Sequence, residues 1–134
     1  MRTPSKIPRE PHGLTRIEGE SNDCSILATA AVLSLPYAKV HKLFEIGGRK
    51  RRGLSFSEET HYAWKALGYR FEATDHSETC KTMIALAMRL AKDCDTLPLL
   101  VFTRFHLTAF VNTRCIDYTR DRVRVRMTGR LVKL

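Results

Sequence analysis

A cysteine near the start of the sequence and a histidine near its end have the residue types that nucleophilic catalysis requires. Cys24 follows Asn22 and Asp23, which are residue types that commonly cap helices, and it begins an apolar run. The unpaired N–H groups and the dipole in the first turn of a helix favour an anion, so we expect the pKa of the Cys24 thiol to be depressed. A thiolate also needs an imidazole that moves protons, and His106, which opens an apolar strand pattern, is the best-placed candidate. Together these residues predict acyl-transfer chemistry.

The segment after His106 supplies a candidate for a third catalytic residue. Asn112-Thr113 is typical of a two-residue turn between two strands. Such a turn would place Asp117 on the same sheet face as His106, diagonally across the hairpin and within reach of the imidazole. A four-residue turn would instead place Asp121 opposite His106, and a three-residue turn would point Asp117 away. We therefore predict that Asp117 orients His106.

The elements that must position these residues follow from hydrophobic periodicity and from capping and turn residues. Four helices are predicted. Three of them cover residues 24–34, 37–46 and 78–92, and the remaining one begins at Ser55 or Ser57 and ends near residue 68. Strands are predicted over 69–73, 99–103, 105–111 and 114–118, followed by a hairpin of 122–127 and 130–133 with Thr128-Gly129 as its turn. The first helix is apolar on all sides and belongs in the core. This order predicts an α+β fold in which N-terminal helices, including a central buried helix, pack on a C-terminal antiparallel sheet.

Length and composition are those of a folded domain. The chain has 134 residues, of which 43% are hydrophobic and 28% charged. Residues 1–21 contain three of the five prolines and show little periodicity, which predicts an extended N-terminal arm. Residues 22–134 are predicted to form a single domain.

The sequence lacks the usual signals for membrane insertion, export and metal binding. Its longest apolar run, Ile26 to Leu35, is about half as long as a membrane span, and no apolar segment of a signal peptide follows Met1. We therefore expect a cytoplasmic protein with no membrane partner. The four cysteines are then expected to be thiols, and none has a partner at zinc-ligand spacing. We expect neither a metal nor a cofactor.

The residues around the candidate site resemble those of the papain-like cysteine peptidases. The segment Asn22-Asp23-Cys24-Ser25, at the head of an apolar helix, is similar to that of small bacteriocin-processing and phage-encoded members. Residues 35–41 and 48–53 look like the second helix and loop of small phage proteins of that kind. His106-x-Thr-Ala-Phe-Val111, a two-residue turn and Asp117 look like the family's hairpin of histidine strand, turn and aspartate. The resemblance implies a papain-like fold, the catalytic order Cys24, His106, Asp117 and, for a phage-encoded chain, residence in the host cytoplasm.

The chain departs from this family at the residue expected to stabilise the oxyanion. The family usually has a glutamine six residues before the cysteine, where this chain has Glu18. A carboxylate cannot donate a hydrogen bond unless it is protonated. Asn22 or the backbone N–H of Cys24 could replace the missing amide.

Each candidate residue also has a purely structural interpretation. A cysteine in an apolar helix is often a small buried hydrophobic residue, so Cys24 need not be a nucleophile. His106 can be a strand histidine with satisfied hydrogen bonds, and Asp117 a strand-end residue that bonds to the backbone. We expect the other cysteines to be structural and the other histidines to be solvated.

The chain carries an excess of basic residues, with 23 Lys and Arg against 14 Asp and Glu and a net charge of +9. The predicted basic surface combines a loop with a stripe that alternates with apolar residues: Arg49, Lys50, Arg51, Arg52, Arg122, Arg124 and Arg126. It is either a solvated face that protects a sheet edge from aggregation or a docking surface for phosphates or an acidic protein. No aromatic residue lies within 120–134, which places nucleic acid second among the partners.

The sequence thus predicts a thiol-dependent peptidase or amide hydrolase that works through an acyl-enzyme. Its Cys-His-Asp triad would be Cys24, His106 and Asp117, and its substrate a peptide or protein. The alternative is a non-catalytic basic protein that binds nucleic acid or an acidic host protein on a degenerate peptidase fold. The bond that is cleaved and the oligomeric state are left open.

Overall fold

A computed structural model describes residues 24–46, 58–104, 106–116 and 123–134 of the chain. The predicted N-terminal arm (1–21) and the basic loop (49–52) lie outside these ranges. Within them the helices are α1 (Cys24–Leu33), α2 (Tyr37–Ile46), α3 (Glu58–Ala66), α4 (His76–Thr79) and α5 (Met83–Lys92). The strands are β1 (Tyr69–Thr74), β2 (Leu99–Thr103), β3 (His106–Val111), β4 (Arg114–Cys115) and β5 (Met127–Lys133). The described chain is therefore a mixed fold of helices and an antiparallel sheet, as expected.

The strands form one sheet in the order β1-β5-β2-β3-β4, and all neighbours are antiparallel. Asn112 and Thr113 join β3 to β4 with φ of 52° and 65°, the left-handed values that a tight hairpin turn requires. Val111 pairs with Arg114 across this turn. The prediction of a two-residue turn is confirmed, and with it the register on which the prediction for Asp117 depends.

The predicted hairpin with Thr128-Gly129 as its turn is wrong. Strand β5 runs straight through Gly129 and pairs with β1 on one side and with β2 on the other. A Cβ atom at residue 129 would collide with the Phe71 ring and lie 2.6 Å from the backbone oxygen of Glu72. The glycine is therefore required by close packing of β1 on β5 and does not mark a turn.

The helix predicted over 78–92 is divided into α4 and α5. Cys80 is extended, with φ −101° and ψ 96°, so the first turn cannot continue into the next. Thr82 then caps α5 by accepting a hydrogen bond from the Ala85 N–H at 3.3 Å. Strand β1 precedes both helices in the chain, which is the order predicted for the strand over 69–73 and the helix over 78–92.

Helices cover both faces of the sheet. Along β2, Leu100 packs in a cluster with Ala28 of α1, whereas Leu99 and Val101 pack in a cluster with Leu86 of α5. The alternation places α1 on one face and α5 on the other. Helix α1 is buried through most of its length, as its all-round apolar sequence predicted.

Two histidines that we expected in solvent, His41 and His76, are buried. His76 Nδ1 lies 2.8 Å from Thr74 Oγ1, and its Nε2 lies 3.8 Å from a carboxylate oxygen of Asp95. Arg130 donates a hydrogen bond of 2.8 Å to that same oxygen. Burial and the nearby charge of Arg130 lower the pKa of His76, while Asp95 acts in the opposite direction. Burial is the largest of these effects, and the pKa of His76 therefore lies below its ordinary value.

Candidate active site

The structure brings Cys24 and His106 together. Cys24 is the first residue of α1 and His106 the first residue of β3, and α1 packs along β3. The His106 side chain hydrogen-bonds the Cys24 thiol, although 81 residues lie between them in the sequence. Cys24 is half-buried, so its sulfur lies at the boundary between the core and the surface.

A second hydrogen bond to the sulfur comes from the backbone of β3. The Leu107 N–H is the group that bonds to Cys24. Phe102 is the partner of Leu107 on β2, but its carbonyl oxygen accepts from the Arg126 N–H on the opposite side. Phe102 and Leu107 are therefore a non-hydrogen-bonded pair, in which the Leu107 N–H points away from β2. This leaves the N–H available to the sulfur at the head of α1.

These contacts determine the ionisation of the thiol. Burial would raise the pKa of Cys24, because it disfavours the charged thiolate. The hydrogen bonds from the His106 side chain and the Leu107 N–H, with the positive charge of His106, outweigh burial and lower the pKa below its ordinary value. The Ser25 hydroxyl, 4.0 Å from the sulfur, acts in the same direction. The expected depression of this pKa thus agrees with the geometry, through contacts with β3 that the helix position alone did not reveal.

The remaining predicted members of the site lie outside the described residues. They are Asp117, the proposed orienting carboxylate, and Asn22 and Glu18, the candidates for the oxyanion site. The hairpin register that would place Asp117 near His106 holds as far as residue 116, whose N–H donates to the Ala109 oxygen at 3.1 Å. The roles of these three residues stay predictions.

The other cysteines do not lie in comparable surroundings. All four cysteines belong to the described ranges, and none of them forms a disulfide. Cys80 and Cys115 are buried, and Cys94 is exposed. The Cys115 sulfur lies 3.6 Å from the Thr108 hydroxyl. Cys94 therefore provides an exposed thiol against which the reactivity of Cys24 can be compared.

Part of the predicted basic surface lines a groove. Arg124 and Arg126 are exposed and Val125 between them is buried, so the predicted alternation is confirmed at these positions, in an extended segment ahead of β5. With Ser77 and Lys81 they line a groove of about 390 Å³, which we call the basic groove. The other residues of the predicted surface lie outside the described ranges: Arg49, Lys50, Arg51, Arg52 and Arg122.

Two contributors to these features had not been identified from the sequence. The sequence indicated the Leu107 N–H only weakly, because Leu107 directly follows the candidate His106 in the chain. The sequence did not indicate Lys81, because only the pairing of Thr82 with Arg124 brings Lys81 next to Arg124 and Arg126.

Comparisons with known proteins do not assign the chain to a family. No protein-family model, curated protein or solved structure matches it at a significant level. Among the described residues, no helix has the length and apolar composition needed to cross a bilayer. No three His, Cys, Asp or Glu side chains of the described ranges are grouped as metal ligands.

Proposed function

We propose that this protein is a thiol-dependent amide hydrolase in which Cys24 is the nucleophile and His106 the general acid and base. One observation carries the proposal: a thiol at the head of a buried helix that is hydrogen-bonded by an imidazole side chain and by a backbone N–H, with a lowered pKa. A structural cysteine does not require a lowered pKa, whereas a nucleophilic cysteine reacts through its thiolate and depends on one. The resemblance to papain-like peptidases, which is confined to short segments, adds a second, weaker support.

In the proposed acylation step, His106 takes the thiol proton and leaves a thiolate at Cys24. The sulfur attacks the carbonyl carbon of the substrate amide, and the pair of electrons of the C=O π bond moves to the oxygen. When the tetrahedral intermediate collapses, the C–N bond breaks and the leaving amine takes the proton from His106. The product is a thioester on Cys24 and a free amine.

In the proposed deacylation step, His106 removes a proton from water as the water oxygen attacks the thioester carbon. The C–S bond then breaks, the carboxylic acid leaves and the sulfur regains its proton from His106. No added oxidant, reductant or cofactor enters either step. Asp117 is proposed to hold the imidazole in orientation, as the confirmed register of β3 and β4 would allow.

The oxyanion requires donors close to the attacking sulfur. The first N–H groups of α1 have no partner within the helix and point along its axis, so they are the donors that the fold supplies at Cys24. Asn22 is proposed as an additional donor. Glu18 would contribute only when protonated.

A burst experiment tests the proposal. The protein is mixed with p-nitrophenyl acetate, and the nitrophenol released in the first turnover is compared with the acetyl group recovered on each cysteine by peptide mass spectrometry. We expect one acetyl group per chain on Cys24 and its loss in the Cys24→Ser variant. The matched control is Cys94→Ser, which removes an exposed thiol and should leave the burst intact. Acetylation that is spread over the exposed thiol, or that survives in Cys24→Ser, would contradict the proposal.

Incubation with a mixture of peptides then tests whether the bond that the protein hydrolyses is an amide. Peptide fragments that appear with the unaltered protein and disappear with Cys24→Ser would establish amide hydrolysis. A normal burst without any peptide cleavage would restrict the proposal to ester or thioester substrates.

A further inference from the structure

Strand β1 lies at one edge of the sheet, and β5 is the only described strand that pairs with it. The Leu134 N–H donates to the Gly68 carbonyl at 3.0 Å, so these two residues form a hydrogen-bonded pair at the start of the β1–β5 ladder. Such pairs alternate with non-hydrogen-bonded ones along an antiparallel ladder. The backbone N–H and C=O groups of Tyr69, Phe71 and Ala73 therefore point away from β5. Within the described ranges no backbone group bonds to them, so this edge can accept a further strand.

Two side chains of opposite charge project from one face of β1. Arg70 and Glu72 are both exposed, and a guanidinium nitrogen of Arg70 lies 3.1 Å from a carboxylate oxygen of Glu72. Natural proteins often protect an edge strand with charges, most often lysines, that repel a second copy. The two charges of β1 instead neutralise each other, and they flank Phe71 symmetrically in the sequence. This pattern is complementary to itself when the strand is reversed in direction.

We propose that β1 pairs antiparallel with β1 of a second copy of this chain, in the register that places Phe71 opposite Phe71 on a two-fold axis. Tyr69 then pairs with Ala73 of the other copy, and the outward N–H and C=O groups of all three residues become hydrogen-bonded. The two five-stranded sheets join into one continuous sheet. The interface is isologous, because the same strand contributes to both sides, so the contact closes a dimer.

The charges of β1 select this register over its neighbours. Arg70 lies directly opposite Glu72 of the other copy, in a non-hydrogen-bonded pair, where side chains approach most closely. Each charge thus has an opposite charge beside it on its own strand and another across the interface. A shift by two residues would place either Arg70 opposite Arg70 or Glu72 opposite Glu72, and like charges in direct opposition destabilise the pairing. A shift by one residue would place outward backbone groups opposite inward ones.

An exchange of charges between two variants tests the pairing. Sedimentation equilibrium of the unaltered protein should show a monomer–dimer equilibrium. Arg70→Glu brings only carboxylates together across the interface and Glu72→Arg only guanidinium groups, so each variant alone should dimerise about 10- to 100-fold more weakly. An equimolar mixture of the two variants places carboxylates opposite guanidinium groups and should recover the dimer. The double variant Arg70→Glu/Glu72→Arg should also recover it, and either recovery shows that the single variants are folded.

Matched controls make the same changes of charge at exposed residues elsewhere. Arg114→Glu lies on β4, at the opposite edge of the sheet, and Asp93→Arg lies at the C-cap of α5. Both variants should dimerise as the unaltered protein does. A protein that stays monomeric up to the highest concentration measured would overturn the proposal. Failure of the mixture and of the double variant to recover the dimer, or equal weakening by the controls, would also overturn it.

Disulfide trapping tests the register. Arg70→Cys and Glu72→Cys are each prepared together with Cys94→Ser, which removes the exposed native thiol, and the two proteins are mixed and oxidised. Opposed Cα atoms of a non-hydrogen-bonded pair lie about 4.5 Å apart, within the range that a disulfide spans. We expect the mixed disulfide between position 70 of one copy and position 72 of the other. A predominance of 70–70 or 72–72 disulfides would refute the register.

Hydrogen exchange distinguishes a second copy from another segment of the same chain as the occupant of this edge. The backbone N–H groups of Tyr69, Phe71 and Ala73 should be protected at high protein concentration and should exchange faster on dilution. Protection that does not change with concentration would mean that the chain covers its own edge, which would contradict the proposal. None of these measurements involves Cys24, so their failure would leave the proposed function unaffected.

Discussion

Replacement of His106 by alanine gives the most direct test of the Cys24–His106 pair. In the natural protein the imidazole stabilises the thiolate by a hydrogen bond and, when protonated, by its charge. The alanine variant loses both, while the Leu107 N–H belongs to the backbone and is retained. The pKa of Cys24 therefore rises in the variant, and less of the thiol is ionised at any pH below its ordinary range.

The size of the effect follows from the strength of that contact. A hydrogen bond to a charged group contributes about 1.5–3 kcal/mol, which corresponds to a reduction of about 10- to 150-fold in the thiolate population. Each remaining thiolate is more nucleophilic because its basicity is higher, and this recovers about half of the loss on a logarithmic scale. The alkylation rate of Cys24 should therefore fall by about 3- to 12-fold.

The assay is the rate of iodoacetamide labelling of each cysteine, followed by peptide mass spectrometry at about pH 6, where ordinary thiols are almost entirely protonated. Cys24 of the natural protein should react faster than Cys94 even though Cys94 is the more exposed of the two. The variant His61→Ala removes an exposed histidine of α3 and serves as the matched control. Its labelling rates should equal those of the natural protein.

Two results would refute the reasoning. If Cys24 of the natural protein reacts no faster than Cys94 at this pH, the sulfur is not ionised and the contacts with β3 do not serve nucleophilic chemistry. If Cys24 reacts fast but is unaffected by His106→Ala, the helix N-terminus and the Leu107 N–H account for the ionisation and His106 has no part in it.

Three further predictions concern stability and are measured by urea denaturation. The pKa of His76 is lowered in the folded state, so as pH decreases through about 6.5 this side chain binds a proton in the unfolded chain before it does so in the folded one. The unfolding free energy should therefore fall over this range, and His76→Asn should remove that part of the decline between about pH 7 and 5. Gly129→Ala should cost about 1–3 kcal/mol because the new methyl group meets the Phe71 ring and backbone, and an unchanged unfolding free energy would contradict the proposed packing. Thr29→Val should cost about 1–3 kcal/mol because it removes the acceptor 2.9 Å from the buried indole N–H of Trp64, and this cost should shrink in a Trp64→Phe background.

Much of the architecture could be predicted because it depends on local chemistry. The apolar helix that begins at Cys24 follows from composition, and the turn at Asn112-Thr113 follows from residue types that tolerate positive φ. Both features were assigned correctly, and they determine where the candidate nucleophile and the histidine strand begin. The same local reasoning failed at Gly129, where a glycine that looks like a turn residue is required by an aromatic ring from a strand almost 60 residues earlier.

The candidate site likewise combines features that follow from the local sequence with features that depend on tertiary packing. The sequence by itself determined that a cysteine would occupy the first turn of a buried helix and that a histidine would begin a strand, because capping and periodicity are properties of neighbouring residues. Only the tertiary structure decided that His106 and the Leu107 N–H reach the same sulfur, since this requires α1 to pack along β3 and β2 to leave that N–H unpaired. It also decided that Lys81 lies beside Arg124 and Arg126, because strand pairing brings together residues that no local pattern connects.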